Sequence, residues 1–296
     1  MEKTFKLSKD SKLKQILLNY REEDLPRYLY HYTSFATFFY ALDGIGKSVK
    51  YSPDYFTFHA SAVKSMDDLA ETELFDKVLK EVKSAQASES WSELFILSLS
   101  EAEDNMMMWE TYADHGKGLC LKLDVKQLLE NPIFFYSANE IKEMIEILPN
   151  GIKEGGFKEY AYLAKCQYNI DNHDFEKYKQ LITDFEETKD PVAKMNSLRK
   201  VRLHSAIFKK AGYESEKEWR LLIDCSNILF KQNQRMGVSA YTEFKMPIKA
   251  LSGIILGPRA EEQHQSYILK LLRSKTDILS LNNIETSKMV GKILKY

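Results

Sequence analysis

The chain has 296 residues, 44% of them hydrophobic and 29% charged, enough apolar material for a sizeable core in one or two domains. Its 42 basic and 43 acidic side chains leave a formal net charge of -1, which excludes a global pull toward nucleic acid or an anionic membrane and leaves only local patches. Its three cysteines, Cys120, Cys166 and Cys225, show no CxxC spacing and lie in or beside apolar runs, which predicts buried free thiols in a reducing, cytoplasmic setting.

Met1 to Lys6 leads into a charged segment, so no secretory leader is expected, and no apolar run reaches membrane-spanning length. Over 8–20, Leu13, Ile16, Leu17 and Tyr20 recur at helical spacing. Tyr28 to Thr33 reads as an aromatic-rich strand. Ser34 is placed to N-cap a helix with Phe35, Phe38, Phe39 and Leu42 on its apolar face and Gly44 at its end. A strand-like piece covers 49–58, and Leu74, Phe75, Val78, Leu79 and Val82 predict a long helix over about 67–88.

Phe95 to Leu99 is a short buried strand. It runs into Ser100-Glu101-Ala102-Glu103, the pattern of a capping box, so the helix carrying Met106 to Met108, Trp109 and Tyr112 is expected to start at Ser100 and stop at Gly116. Gly118 to Leu123 is the next strand. Residues 124–210 read as mostly helical, with Asp190-Pro191 as a helix start and one strand near 162–169 that carries Cys166. Glu216 to Asp224 reads as a strand, followed by strand-like runs at 236–246 and 250–256. Gly257-Pro258 breaks the chain before a last helix that buries Tyr267, Ile268, Leu271 and Leu272, with short strands around Ile278 and Lys292. The pattern predicts an α+β protein: a single domain over 1–296 with a mixed, antiparallel sheet core and 124–210 as a helical insertion.

If Glu216 to Asp224 is all strand, Glu216, Glu218 and Arg220 share one face, and Trp219, Leu221 and Ile223 share the other. Two carboxylates and a guanidinium suit chemistry on a sugar–base bond, where positive charge develops. They suit a surface salt bridge equally. His31 among aromatic neighbours reads as a core or boundary histidine that burial keeps neutral. Trp109 and the methionine run before it read as core. Asp67, Asp68 and Glu71 form either a charged helix N-terminus or a site for a cation or a substrate hydroxyl. None of the six histidines has zinc-ligand spacing, and no Walker, Gly-x-Gly-x-x-Gly or Gly-x-Ser-x-Gly element occurs. The basic run Arg199-Lys200-Val201-Arg202, with His204, Lys209 and Lys210, reads as a solvated helix face whose sign suits a nucleic-acid acceptor.

Five segments, in order, resemble bacterial domain-of-unknown-function family 2971. They are Tyr30-His31-Tyr32-Thr33-Ser34, Met66 to Glu71, Ser98 to Glu101 with Met108-Trp109, Tyr112-Ala113 and Gly118, Phe208-Lys209 with Tyr213, Glu216 and Glu218 to Arg220, and Ile255 to Pro258. Asp67 and Leu69 depart from the family's Asn and Pro, and 124–200 carries no matching motif. More remotely, an early strand histidine followed by Glu-x-Glu on a later strand is similar to the mono-ADP-ribosyltransferases. That resemblance implies a split sheet with NAD as substrate. It implies that His31 holds the ribose, Glu218 stabilises the ribosyl cation, Glu216 activates the acceptor, and Ser98 or Ser100 orients the nicotinamide side. Tyr32 and Thr33 then flank the cofactor, Arg220 or Arg27 pairs with the pyrophosphate, and Tyr32, Tyr51, Trp109 and Tyr112 are candidates for the stacking aromatic. The acceptor would be a protein or a nucleic acid, as for a toxin or phage-defence effector. The alternative is a non-catalytic sensor that binds a nucleotide or a partner.

Overall fold

The computed structural model describes residues 25–47, 55–63, 94–130, 160–168, 172–224, 234–236, 239–274 and 284–290. Its centre is a strand buried on both faces, Leu94–Ser100, whose near-continuous apolar sequence matches that position. With Tyr28–Thr33 as β1 and Tyr55–Ala62 as β2, this strand is β3. One edge of β3 is covered end to end by antiparallel β6 (Glu218–Asp224), from Leu94 opposite Asp224 to Ser100 opposite Glu218. The other edge is shared. β2 takes its start, with Ser61 opposite Ile96, and β1 takes its end, with Tyr30 opposite Ser100. Extending both registers would bring Tyr32 and His59 opposite the same residue, Ser98, and there the sheet forks.

Two wings grow from the fork. β1 pairs along its whole length with β4 (Leu119–Asp124), which pairs with β9 (Leu251–Leu256), and β9 holds a short parallel strand, β10 (Ile284–Thr286). β2 pairs with β8 (Ser239–Pro247), which forms a hairpin with β7 (Gln234–Met236). β5 (Tyr160–Lys165) lies outside β6. The described helices are α1 (Phe35–Lys47), α2 (Met106–Tyr112), α3 (Val125–Glu130), α4 (Asn172–Glu187), α5 (Pro191–Ser205) and α6 (Glu262–Ser274). This is an α+β fold with an open, mostly antiparallel sheet.

Strand alternation sorts the core. Phe95, Leu97 and Leu99 of β3 join Trp219, Leu221 and Ile223 of β6 in the largest apolar cluster, which also holds Phe35 and Phe38 of α1 and Ile268 of α6. Leu94, Ile96 and Leu222 face the other way, onto Tyr178, Ile182, Val201 and Leu203 of α4 and α5. Each fully buried side chain of this kind contributes about 1.5–3 kcal/mol, so register on both faces is strongly specified. Further along the second face, Tyr30 and Tyr32 pack with Met108 and Trp109 in a third cluster. Ile96 of the second cluster and Tyr30, Tyr32 and Met108 of the third line a common cleft.

Local departures from the sequence expectation have physical causes. Ser34 does cap α1, its Oγ accepting from Thr37 N at 3.1 Å, but the helix runs through Gly44 to Lys47. Ser100 is not a helix cap. It ends β3, and α2 starts six residues later, where Asn105 Oδ1 accepts from the amides of Met107 and Met108. Asp104, with φ 51°, makes the reversal between them. α2 ends at Tyr112, before a turn in which Asp114, His115 and Gly116 all have positive φ. Asp190 caps α5 as expected, accepting from Ala193 N at 2.7 Å. The run at 236–246 is strand as expected over 239–246, all of it in β8, with Met236 ending β7; Cys166 lies just past β5, and Tyr267 on α6 is 54% exposed while its neighbour Ile268 is buried. Cys120 and Cys166 are buried free thiols.

The elements expected over 8–20 and 67–88 and around Ile278 and Lys292 lie outside the described residues, as do Asp67, Asp68, Glu71, Tyr51 and Cys225. Among the described residues no helix is long and apolar enough to cross a membrane.

Candidate functional site

A cleft of about 560 Å³ opens at the fork. Leu97, Ser98 and Leu99 of β3 form its floor. His31 and Tyr32 of β1 flank it on one side, and His59 and Ser61 of β2 on the other. Tyr112 of α2 and Tyr213 stand over it, and Lys209, Glu216 and Glu218 close one end.

The charged end is not built as a continuous strand. Glu214–Glu216 is a single 3-10 turn, Lys217 turns the chain with φ 45°, and β6 begins only at Glu218. The two carboxylates nevertheless converge, because both accept from one ammonium. Lys209 Nζ donates to Glu216 Oε2 at 2.6 Å and to Glu218 Oε2 at 2.8 Å. Arg220 donates to Glu218 through Nε at 3.0 Å and Nη2 at 3.2 Å, and through Nη1 to the Ala206 carbonyl at 2.7 Å. Tyr112 Oη donates to Glu216 Oε1 at 2.8 Å. Backbone contacts lock the turn: Ser100 Oγ donates to the Glu216 carbonyl at 2.5 Å, and the Glu218 amide donates to Tyr168 Oη at 2.7 Å.

Lys209, Glu216, Glu218 and Arg220 are all buried, none more than 7% exposed, and their formal charges cancel. Burial alone would raise the Glu218 pKa, but the guanidinium of Arg220 and the ammonium of Lys209 outweigh it and hold the carboxyl at about 2. Burial would pull the Lys209 ammonium down, and its two carboxylate partners more than offset this, leaving it well above its ordinary value. Glu218 is therefore a fixed negative charge at neutral pH. The basic run expected to face solvent does not do so as a unit: Arg202, His204 and Lys209 are buried.

His31 sits at the opposite side of the cleft. Its Nδ1 lies 2.9 Å from the Ser98 carbonyl oxygen. A carbonyl can only accept, so Nδ1 carries the proton. Burial lowers the pKa of the ring, against the opposing pull of the Ser98 bond, so the imidazole is neutral and Nε2 is a bare acceptor. The ring packs edge-on against Phe58 at 5.5 Å. In an antiparallel ladder, N–H and C=O of one residue point to the same edge and alternate along the strand. The Ser98 carbonyl faces the fork, so its amide does too. The Tyr30–Ser100 pair is in the same phase, which turns the backbone of Tyr32 toward the fork as well.

Of the residues the sequence singles out, His31, Tyr32, Ser98, Tyr112, Glu216 and Glu218 line this one cleft. Thr33 lies behind the fork, in a pocket of about 30 Å³ shared with His31 and His59. Ser100 fixes the Glu216 turn. Trp109 is fully buried, its Nε1 donating to Asp104 at 2.8 Å and its ring edge-on to Tyr32 at 4.9 Å. Arg220 is 1% exposed and donates to Glu218 and to the Ala206 carbonyl, and Arg27 stacks over Tyr28 at 4.9 Å. Neither arginine is among the residues that line the cleft.

In the sequence Lys209 and Tyr213 stand out only as members of a basic run and a family-like segment, and no site role is assigned to them, His59, Ser61 or Tyr168. Two signals were available. Lys209 follows the apolar run Ala206-Ile207-Phe208, which marks a buried lysine. Phe56, Phe58, Ala60 and Ala62 alternate with Thr57, His59 and Ser61, which sets a polar row on one face of β2.

Residues 108–221 match the model of a family described as "Protein of unknown function (DUF2971)". The matched segment contains Trp109, Tyr112, Gly118, Lys209, Tyr213, Glu216, Glu218, Trp219 and Arg220, and it spans the 124–200 region in which no motif was legible. It leaves out His31 and His59. Neither a curated protein nor a solved structure matches the chain.

Proposed function

We propose that the cleft is the NAD site of a mono-ADP-ribosyltransferase-like enzyme acting on a protein or nucleic acid. The observation that carries this reading is the fork. It sets the acceptor nitrogen of His31 and the fixed negative charge of Glu218 in one cleft, with Tyr112 and Tyr213 beside them. When the bond between ribose C1′ and the pyridinium nitrogen breaks, positive charge moves onto the ribosyl ring. A preorganised carboxylate that stays ionised stabilises that charge as it forms. The bonding pair passes to the pyridinium nitrogen, so nicotinamide leaves neutral and needs no acid. His31 Nε2 accepts from a ribose hydroxyl, and the backbone of Tyr32 offers a donor and an acceptor to a carboxamide. Glu218 Oε1, with Arg220 Nε as its internal partner, has capacity for one further hydrogen bond, while Oε2 already accepts from Lys209 and Arg220. Modifying a macromolecule, or consuming NAD, is chemistry suited to a toxin or phage-defence effector.

The clamp on Glu218 favours a second reading, a non-catalytic module that binds a nucleotide at the same cleft. Incubation with NAD separates the two, with free nicotinamide and a mass increment on protein, RNA and DNA as readouts. The transferase reading expects release by the wild type and a loss of about 10²–10³-fold in Glu218→Gln. Equal release by both proteins would remove Glu218 from the mechanism. NAD binding by calorimetry without release would leave the binding module.

A further inference from the structure

We propose that His59, oriented by Glu243, is the acceptor-side general base of this cleft and that the acceptor nucleophile is a hydroxyl. The inference rests on the transferase reading. Glu216, the residue expected to activate the acceptor, is poorly placed to do so: it is 4% exposed, Tyr112 Oη occupies its Oε1 and Lys209 Nζ its Oε2. Taking a proton there would break a buried ion pair.

The other end of the cleft offers a base with none of these encumbrances. Ser61 pairs with Ile96, so the polar row Thr57, His59 and Ser61 shares the face of Ile96, Ser98 and Glu218. His59 is the β2 residue at the fork. It is directly opposite Glu243 in the β2–β8 ladder, and its Nε2 lies 3.5 Å from Glu243 Oε1. Its ring packs against Tyr241 at 4.6 Å. In the tautomer that carries its proton on Nε2, on the side of the carboxylate, Nδ1 is the nitrogen able to take a proton. The side chain is 31% exposed, which leaves it accessible to an incoming molecule. Two strand spacings, about 10 Å, and two residues, about 7 Å, separate the backbones of His59 and Glu218, at least about 12 Å in all. A ribosyl carbon fits between the charge that stabilises it and the base that aims its partner.

In the step, the acceptor O–H proton moves to His59 Nδ1 and the O–C1′ bond forms. The C1′–N bond breaks, and its electron pair goes to nicotinamide. Water as acceptor gives hydrolysis by the same route. A hydroxyl is a neutral nucleophile that gains from a base as it adds, whereas a carboxylate needs none.

The test uses the full chain with NAD, with nicotinamide release measured in buffer and in sodium azide, an anionic nucleophile that needs no base. His59→Gln is expected to lose at least about 100-fold in buffer. Azide should restore its turnover with formation of ADP-ribosyl azide, and should leave Glu218→Gln inactive. Glu243→Gln, a positioning variant, should show a smaller loss that azide also relieves. Wild-type turnover by His59→Gln, or inactivity that azide does not relieve while the wild type turns over, overturns the inference alone. Absence of nicotinamide from the wild type, with or without azide, overturns the transferase reading and this inference with it.

Discussion

Lys209→Met removes the ammonium that Glu216 and Glu218 share and keeps most of the stem that packs beneath them. Removing one partner of a buried ion pair costs about 3–5 kcal/mol, because it leaves an uncompensated charge out of water. Here one ammonium serves two carboxylates, at 2.6 and 2.8 Å, and every group is nearly excluded from solvent, which sets the expectation at about 4–5 kcal/mol. Glu218 keeps Arg220. Glu216 keeps the Tyr112 hydroxyl, so the penalty concentrates on Glu216. Adding Glu216→Gln to the variant should therefore recover at least about 2 kcal/mol, a coupling well above the few tenths expected of independent sites. Urea denaturation of the wild type, both single variants and the double variant gives the cycle, provided the slopes agree. A loss below about 1 kcal/mol in Lys209→Met, or simple additivity in the double variant, would refute the idea that this network is electrostatically closed around Lys209.

Two further outcomes test the frame around the site. A Cβ on Gly257 would overlap the carbonyl oxygens of Gly116 and Gly118, so Gly257→Ala is expected to cost at least about 3 kcal/mol or to abolish soluble folding; a wild-type thermal midpoint would contradict this crossing. His204 is buried against Tyr178, and burial, with Lys177 adding to it, holds its pKa at about 4. The unfolded chain takes up that proton near 6.5, so between about 6.5 and 4 the unfolded state binds more protons, stability falls as pH falls, and the loss levels off below 4 at about 3 kcal/mol. His204→Phe should remove that share and leave the slope from His31, whose pKa is also lowered; an unchanged slope would refute the assignment.

What was legible in the sequence was local. The apolar runs of β3, β4 and β6 and the caps Ser34 and Asp190 depend on neighbours in the chain, and they fold as their periodicity dictates. The fork was not legible, because two strands sharing one edge of β3 is a fact about residues more than thirty positions apart. The Glu216–Glu218 face illustrates the difference. Strand alternation suggested that the two carboxylates lie together. They do, but through a 3-10 turn and a shared lysine from the connection that follows α5. The capping box failed for a related reason. Ser100 Oγ donates to a carbonyl 116 residues away, and Asn105 is left to start α2. Lys209 carries the same charge as its basic neighbours in sequence, and only its packing separates it from them.

The shared edge of β3 also makes the cleft a matter of zipper position. β2 is closed onto β3 as far as Ile96 and β1 as far as Ser100, leaving four residue steps, about 14 Å, between the two closures. One more rung closed on either side would shorten the opening by about 3.4 Å. One rung fewer would lengthen it by the same amount. The length of the cleft is thus set by how far two strands are zipped, a variable separate from the side chains at either end.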